Sequence, residues 1–162
     1  MDLNSLRDAF HEQLKDMYSA EKQLTEALPK MAEAASSERL RNIISDHLRI
    51  TKTQLERVQQ MLDASNVNPG SKVCKAMQGL IEEGSEVAKM QGDPTARDAA
   101  LIGAAQKVEH YEIATYGTLR SWALMLGEER MANMLQDILD EEYEADNALD
   151  RLAEGTLNQR AV

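Results

Sequence analysis

Aromatic and chain-breaking residues are what this chain of 162 residues has least of: Phe, Trp and Tyr make up 4% of it, and there are three Pro. So thin a supply of β-formers excludes a sheet-based core, and so few prolines leave long helices unbroken. Cys74 is the single cysteine, which excludes an intramolecular disulfide framework and any Cys-rich zinc or iron–sulfur centre within the chain. No stretch of about 18 apolar residues exists to span a membrane. The opening MDLNSLRDAF has no basic segment followed by an apolar run, so a soluble cytoplasmic protein in a reducing compartment is expected. Basic residues are also in deficit, 18 Lys and Arg against 28 Asp and Glu, for a net charge of −10. That balance disfavours nucleic acid and anionic membranes as partners and favours cations.

What is present is helical periodicity over one domain, residues 1–162, with a polar tail from about residue 156. The first helix is predicted to start at Asn4 or Ser5, with Asn4 as its cap, and carries the stripe Leu6, Phe10, Leu14, Met17, Glu21, Leu24, Leu28, Met31, with Pro29 set to bend it. The second opens at Ser36 or Ser37 and turns Leu40, Ile43, Ile44, His47, Ile50, Thr51, Gln54, Val58 and Met61 inward. After the turn residues of Asn66 to Ser71, a helix weakened by Gly79 and Gly84 carries Met77, Leu80, Ile81 and Val87. The third long helix aligns Ile102, Ala105, Glu109, Glu112, Tyr116 and Leu119 and ends at Gly127. The last aligns Met131, Leu135, Ile138, Glu142, Asp146 and Leu149, with Gly155 as its cap. Four long helices with an extended connection between the second and third define an all-α, ferritin-like four-helix bundle whose crossover carries an additional short helix.

Six polar residues interrupt these stripes: Glu21, His47, Glu109, Glu112, Glu142 and Asp146. One carboxylate on an apolar stripe is ordinarily a solvated flank residue, because charges are seldom fully buried. Single inward groups on two helices, combined with an i,i+3 and an i,i+4 pair on the other two, are hard to produce by error of phase. Residues three or four apart stack on one helix face, so each pair reaches the same point inside a bundle. Converging carboxylates and an imidazole need a compensating cation, and the donor set suits iron or manganese. Other candidates have plainer roles. Glu82, Glu83 and Glu86 form a solvated acidic run, the nine methionines are scattered core filler, Cys74 is structural, and His11 and His110 lie off the seam.

The stretches DMYSAEKQL (Asp16 to Leu24), CKAMQGLIEEGSEV (Cys74 to Val87), RDAALIGAAQKVEHYEIATYGTL (Arg97 to Leu119) and LDEEYEADNAL (Leu139 to Leu149) resemble the YciF-type bacterial stress proteins. That ferritin-like family carries a domain of unknown function, and the likeness covers nearly the whole chain. The pair Glu109 and Glu112 also resembles the third helix of rubrerythrins, with Glu21 and Glu142 matching ligands of other helices. In one place the chain departs from the family. The pattern His-Leu-x-Glu-Thr becomes His47-Leu48-Arg49-Ile50-Thr51, so an expected bridging glutamate is Ile50.

These readings imply a stress-response protein with a carboxylate-rich iron or manganese site of one or two ions, incomplete because of Ile50. Peroxide reduction and Fe(II) oxidation are the chemistries such a site supports, with Tyr18 and Tyr116 as nearby donors. The alternative is a non-enzymatic, self-associating stress protein that retains a degenerate site. The apolar stripe of the crossover helix predicts a homodimer rather than a storage cage.

Overall fold

The computed structural model describes residues 3–162. Helix α1 spans Leu6–Ala34, α2 Glu38–Ala64, α3 Lys75–Lys89, α4 Pro94–Met125 and α5 Glu129–Leu152, followed by a π-helical segment Ala153–Leu157 and a last turn Asn158–Arg160. No strand occurs among the described residues. The boundaries follow from capping chemistry. Ser5, not Asn4, caps α1 by accepting from the Asp8 N–H at 3.1 Å, while the Asn4 N–H returns to the Asp8 carboxylate at 3.1 Å. Asp93 caps α4 with bonds from the Thr95 and Ala96 N–H groups, just ahead of Pro94. Gly127, at φ 74°, ends α4 in the left-handed conformation that costs glycine least.

Two contacts give the direction of the long helices. At one end, Arg7 beside the start of α1 pairs with Glu128 beside the start of α5 at 2.7 Å. At the other, the Ser36 and Ser37 N–H groups between α1 and α2 donate to Asp98 near the start of α4, at 2.9 and 2.6 Å. Thus α1 and α5 run one way and α2 and α4 the other, and the connection from α2 must travel the length of the bundle to reach α4. Helix α3 makes that return beside α1 and α4, as expected of a crossover.

A continuous core of Phe10, Leu14, Met17, Leu24, Leu40, Val58, Leu101, Leu119, Leu135 and Ile138 fills the space between the four long helices. Three expectations are corrected. Leu6, placed on the α1 stripe, is exposed, because the first turn extends past the end of the core. Gly155 does not cap the last helix: the chain continues as a π-helical turn that buries Leu157, an apolar contact within the segment expected to be a polar tail. The α3 stripe is not left bare, since Met77 is fully buried and Leu80, Ile81 and Val87 pack on the chain's own core. Gly84 permits this close approach, a Cβ there meeting Met31 Cε at 3.1 Å.

Candidate metal centre

The core turns polar at mid-height. His47 from α2, Glu109 and Glu112 from α4 and Glu142 from α5 are all buried, and each offers one ligand atom within 4.8 Å of the others. Ordinary helical phase puts them there. Burial of Leu40, Ile44, Thr51 and Val58 orients the stripe that contains His47, and Leu101, Ala105, Val108, Tyr116 and Leu119 do the same for the α4 glutamates.

Glu21, fully buried on α1, stands beside this group. Its Oε1 accepts a short hydrogen bond from the Tyr116 hydroxyl, and its Oε2 has no partner. Gln54 approaches from α2, its amide donating to Glu142 and, at 3.0 Å, to Glu141. Glu141 is held in turn by Arg57 at 2.5 Å. Thr51 is spent on its own helix, donating to the His47 carbonyl at 3.0 Å.

Five of the six expected residues therefore enter the core, and Asp146 does not go with them. It lies on the rim, half-buried, where its carboxylate meets His110 at 3.2 Å and Gln106 at 3.3 Å. One turn beyond Glu142, α5 has rotated far enough for the side chain to reach solvent-facing partners. Tyr116 supports the site as expected, while half-buried Tyr18 carries none of its hydrogen bonds. Ile50 is half-buried and outside the core cluster. Along α2 it lies between His47 and Gln54, and the antiparallel pairing of α2 with α5, seen in Gln54 with Glu142 and Ser65 with Met131, sets it level with Asp146.

The electrostatics are those of negative charge held away from water. Burial raises the pKa of Glu21 to about 8, with Glu142 adding to the shift. Burial, then Glu142, pushes Glu109 and Glu112 well above the usual carboxylate range. Burial lowers His47 and keeps it neutral. Both ring nitrogens of His47, both oxygens of Glu112 and one oxygen each of Glu21, Glu109 and Glu142 lack hydrogen-bond partners. An unpaired buried polar atom costs roughly 1–3 kcal/mol, so a cluster of them calls for a compensating group. A neutral imidazole with several oxygen donors, none taken by a lysine or arginine, is a group that could hold a metal ion.

The sequence placed Gln54 only on the inward stripe of α2, and Glu141 and Arg57 were not expected at the site. The only signal was position, Gln54 one helical turn and Arg57 nearly two beyond Ile50 on α2. Asp98, the buried carboxylate that caps the start of α2 from α4, was also missed, because its partners are backbone groups about 60 residues away.

The fold and its buried donors define a ferritin-like helical bundle with a carboxylate–histidine centre. The family described as a domain of unknown function, DUF892, matches residues 5–162, and the chain belongs to that family. It is 46% identical to Protein YciF of Escherichia coli K12, over 99% of this chain and 98% of that one. The crystal structure of the E. coli stress protein YciF superposes with a TM-score of 0.92, covering 96% of this chain and 99% of that chain. YcfI from Rhodopseudomonas palustris is 41% identical with a TM-score of 0.88, covering 92% and 95%. A Xanthomonas campestris protein at 24% identity shares the fold, with a TM-score of 0.76 over 97% and 98%.

Proposed function

We propose that the protein acts in stress response, as its E. coli relative is described, by holding an iron or manganese ion between His47, Glu109, Glu112 and Glu142. The observation that carries this reading is the convergence of four buried side chains, one imidazole and three carboxylates, most of whose donor atoms have no other partner. Bound iron would supply redox chemistry for peroxide reduction or Fe(II) oxidation. Around it, Tyr116 orients Glu21, Gln54 orients Glu142, and the apolar core keeps bulk water from the donors. Arg57, through Glu141, fixes the outer side of the Gln54 amide.

Ile50 favours a second reading, in which the centre is a degenerate one and the protein works by self-association. Elemental analysis of protein purified without chelators separates the two. The first expects close to one iron or manganese per chain, with a second ion only sparsely present. Metal content near zero that Fe(II) or Mn(II) cannot raise would favour the second.

A homodimer is part of both readings. Its surface is not the α3 stripe, which this chain covers itself; the exposed Leu124 and Met125 at the end of α4 are the apolar residues it would bury. A monomeric mass in light scattering at micromolar concentration would overturn it.

A further inference from the structure

Between α1, α3 and α4 lies a cavity of about 260 Å³. An apolar cavity of about 150 Å³ is already large enough to bind benzene, so this space exceeds a packing defect. Leu24, Leu28, Met31, Ile81, Ala105 and Val108 give it mainly apolar walls. Of its polar neighbours, Glu26, Lys30 and Ser85 are exposed at the mouth, and the Gln23 amide is committed to Ser19 and to the Cys74 carbonyl. Glu109 is the exception. It is 2% exposed, it lines the cavity, and its Oε2 has no hydrogen-bond partner.

We propose that this cavity is a binding pocket for a small uncharged aliphatic molecule bearing one hydroxyl group, with its chain between the three helices and its oxygen at Glu109. The apolar walls reward an aliphatic chain and offer no counter-ion to a charged one, and a single buried polar group at the inner end sets the orientation. Gly84 contributes by leaving room for Met31, whose tip a Cβ would press toward the cavity. The pocket is formed by this chain alone but shares Glu109 with the proposed metal centre, where a bound ion would compete for the carboxylate, so its test uses chelator-treated protein.

The test is titration of methyl-labelled protein with 1-hexanol, followed by NMR. Saturable shifts confined to the methyls that line the cavity, those of Leu24, Leu28, Leu80, Ile81 and Val108, are expected, with hexanoate binding at least about tenfold more weakly because its charge must be desolvated. Ala105→Leu from α4 and Ala27→Leu from α1 each fill the space, and each should weaken 1-hexanol binding at least about tenfold. Shifts that never saturate, equal binding of hexanoate, or unchanged affinity in whichever of the two variants folds would overturn the proposal. The comparison of 1-hexanol with hexanoate on the unmodified protein decides it even if neither variant folds.

Discussion

His47 Nε2 stands 3.4 Å from Glu109 Oε1, and the contact is not an ordinary ion pair. Burial lowers the histidine pKa and raises that of the glutamate, so both lean toward their neutral forms. A bound cation inverts this logic, ionising the carboxyls and using the imidazole as it already stands.

Opposite pH dependences follow for the stripped and loaded protein. Glu21 titrates near 4.5 when unfolded and near 8 when folded, so between those values the folded chain holds the extra proton. Stability of chelator-treated protein should therefore fall as pH rises through that window, with a higher melting temperature at about pH 5.5 than at about pH 8. Glu21→Gln should flatten the slope. Metal affinity should run the other way, since the ligands must lose protons to bind. A melting temperature that climbs with pH in the stripped protein would sink the assignment.

Adding Mn(II) or Fe(II) at about a hundred times its Kd should stabilise the fold by roughly 2.7 kcal/mol, a rise on the order of 5–10 °C. Glu112→Ala and Glu142→Ala should each abolish that increment, whatever they do to the melting point of the stripped protein. Differential scanning calorimetry with and without metal reads it directly, and an increment that survives both substitutions would mean the ion sits elsewhere.

Tyr116→Phe removes the one hydroxyl bonded to Glu21 and leaves a second buried oxygen without a partner. The expected loss is about 1–3 kcal/mol in urea unfolding. A neutral outcome would mean that water or a metal ion already satisfies that carboxylate.

Asp98 joins the start of α4 to the turn between α1 and α2 through two backbone N–H groups. Asp98→Ala should cost about 1–3 kcal/mol, and Asp98→Asn less, since its amide oxygen can keep one bond. Equal losses in the two variants would show that charge at the helix start matters more than the hydrogen bonds.

Ile50 sits level with Asp146 on the facing helix. Ile50→Glu should set a carboxylate opposite Asp146 and raise metal stoichiometry from one toward two per chain, measured by elemental analysis. If the unmodified chain already binds two ions tightly, another residue does that work.

The periodicity of the sequence determined the helices, their inward faces and five of the six expected site residues, because a stripe kept in phase over seven turns leaves little freedom over which side chains meet the core. Glu21, His47, Glu109, Glu112 and Glu142 were legible for that reason. Only the tertiary structure decided the rest. Asp146 shares its helix face with Glu142, yet whether a side chain at the edge of a stripe reaches the centre depends on how closely α4 and α5 approach, and here His110 and Gln106 hold it at the rim. The α3 stripe could equally have met a second copy. It folds onto α1 and α4 because Gly84 lets the helices close, and pairwise approach of that kind cannot be read from a pattern along one helix. The hydrogen bonds from Gln54 to Glu142 and from Tyr116 to Glu21 join residues 88 and 95 positions apart, and they exist only once the bundle brings those faces together.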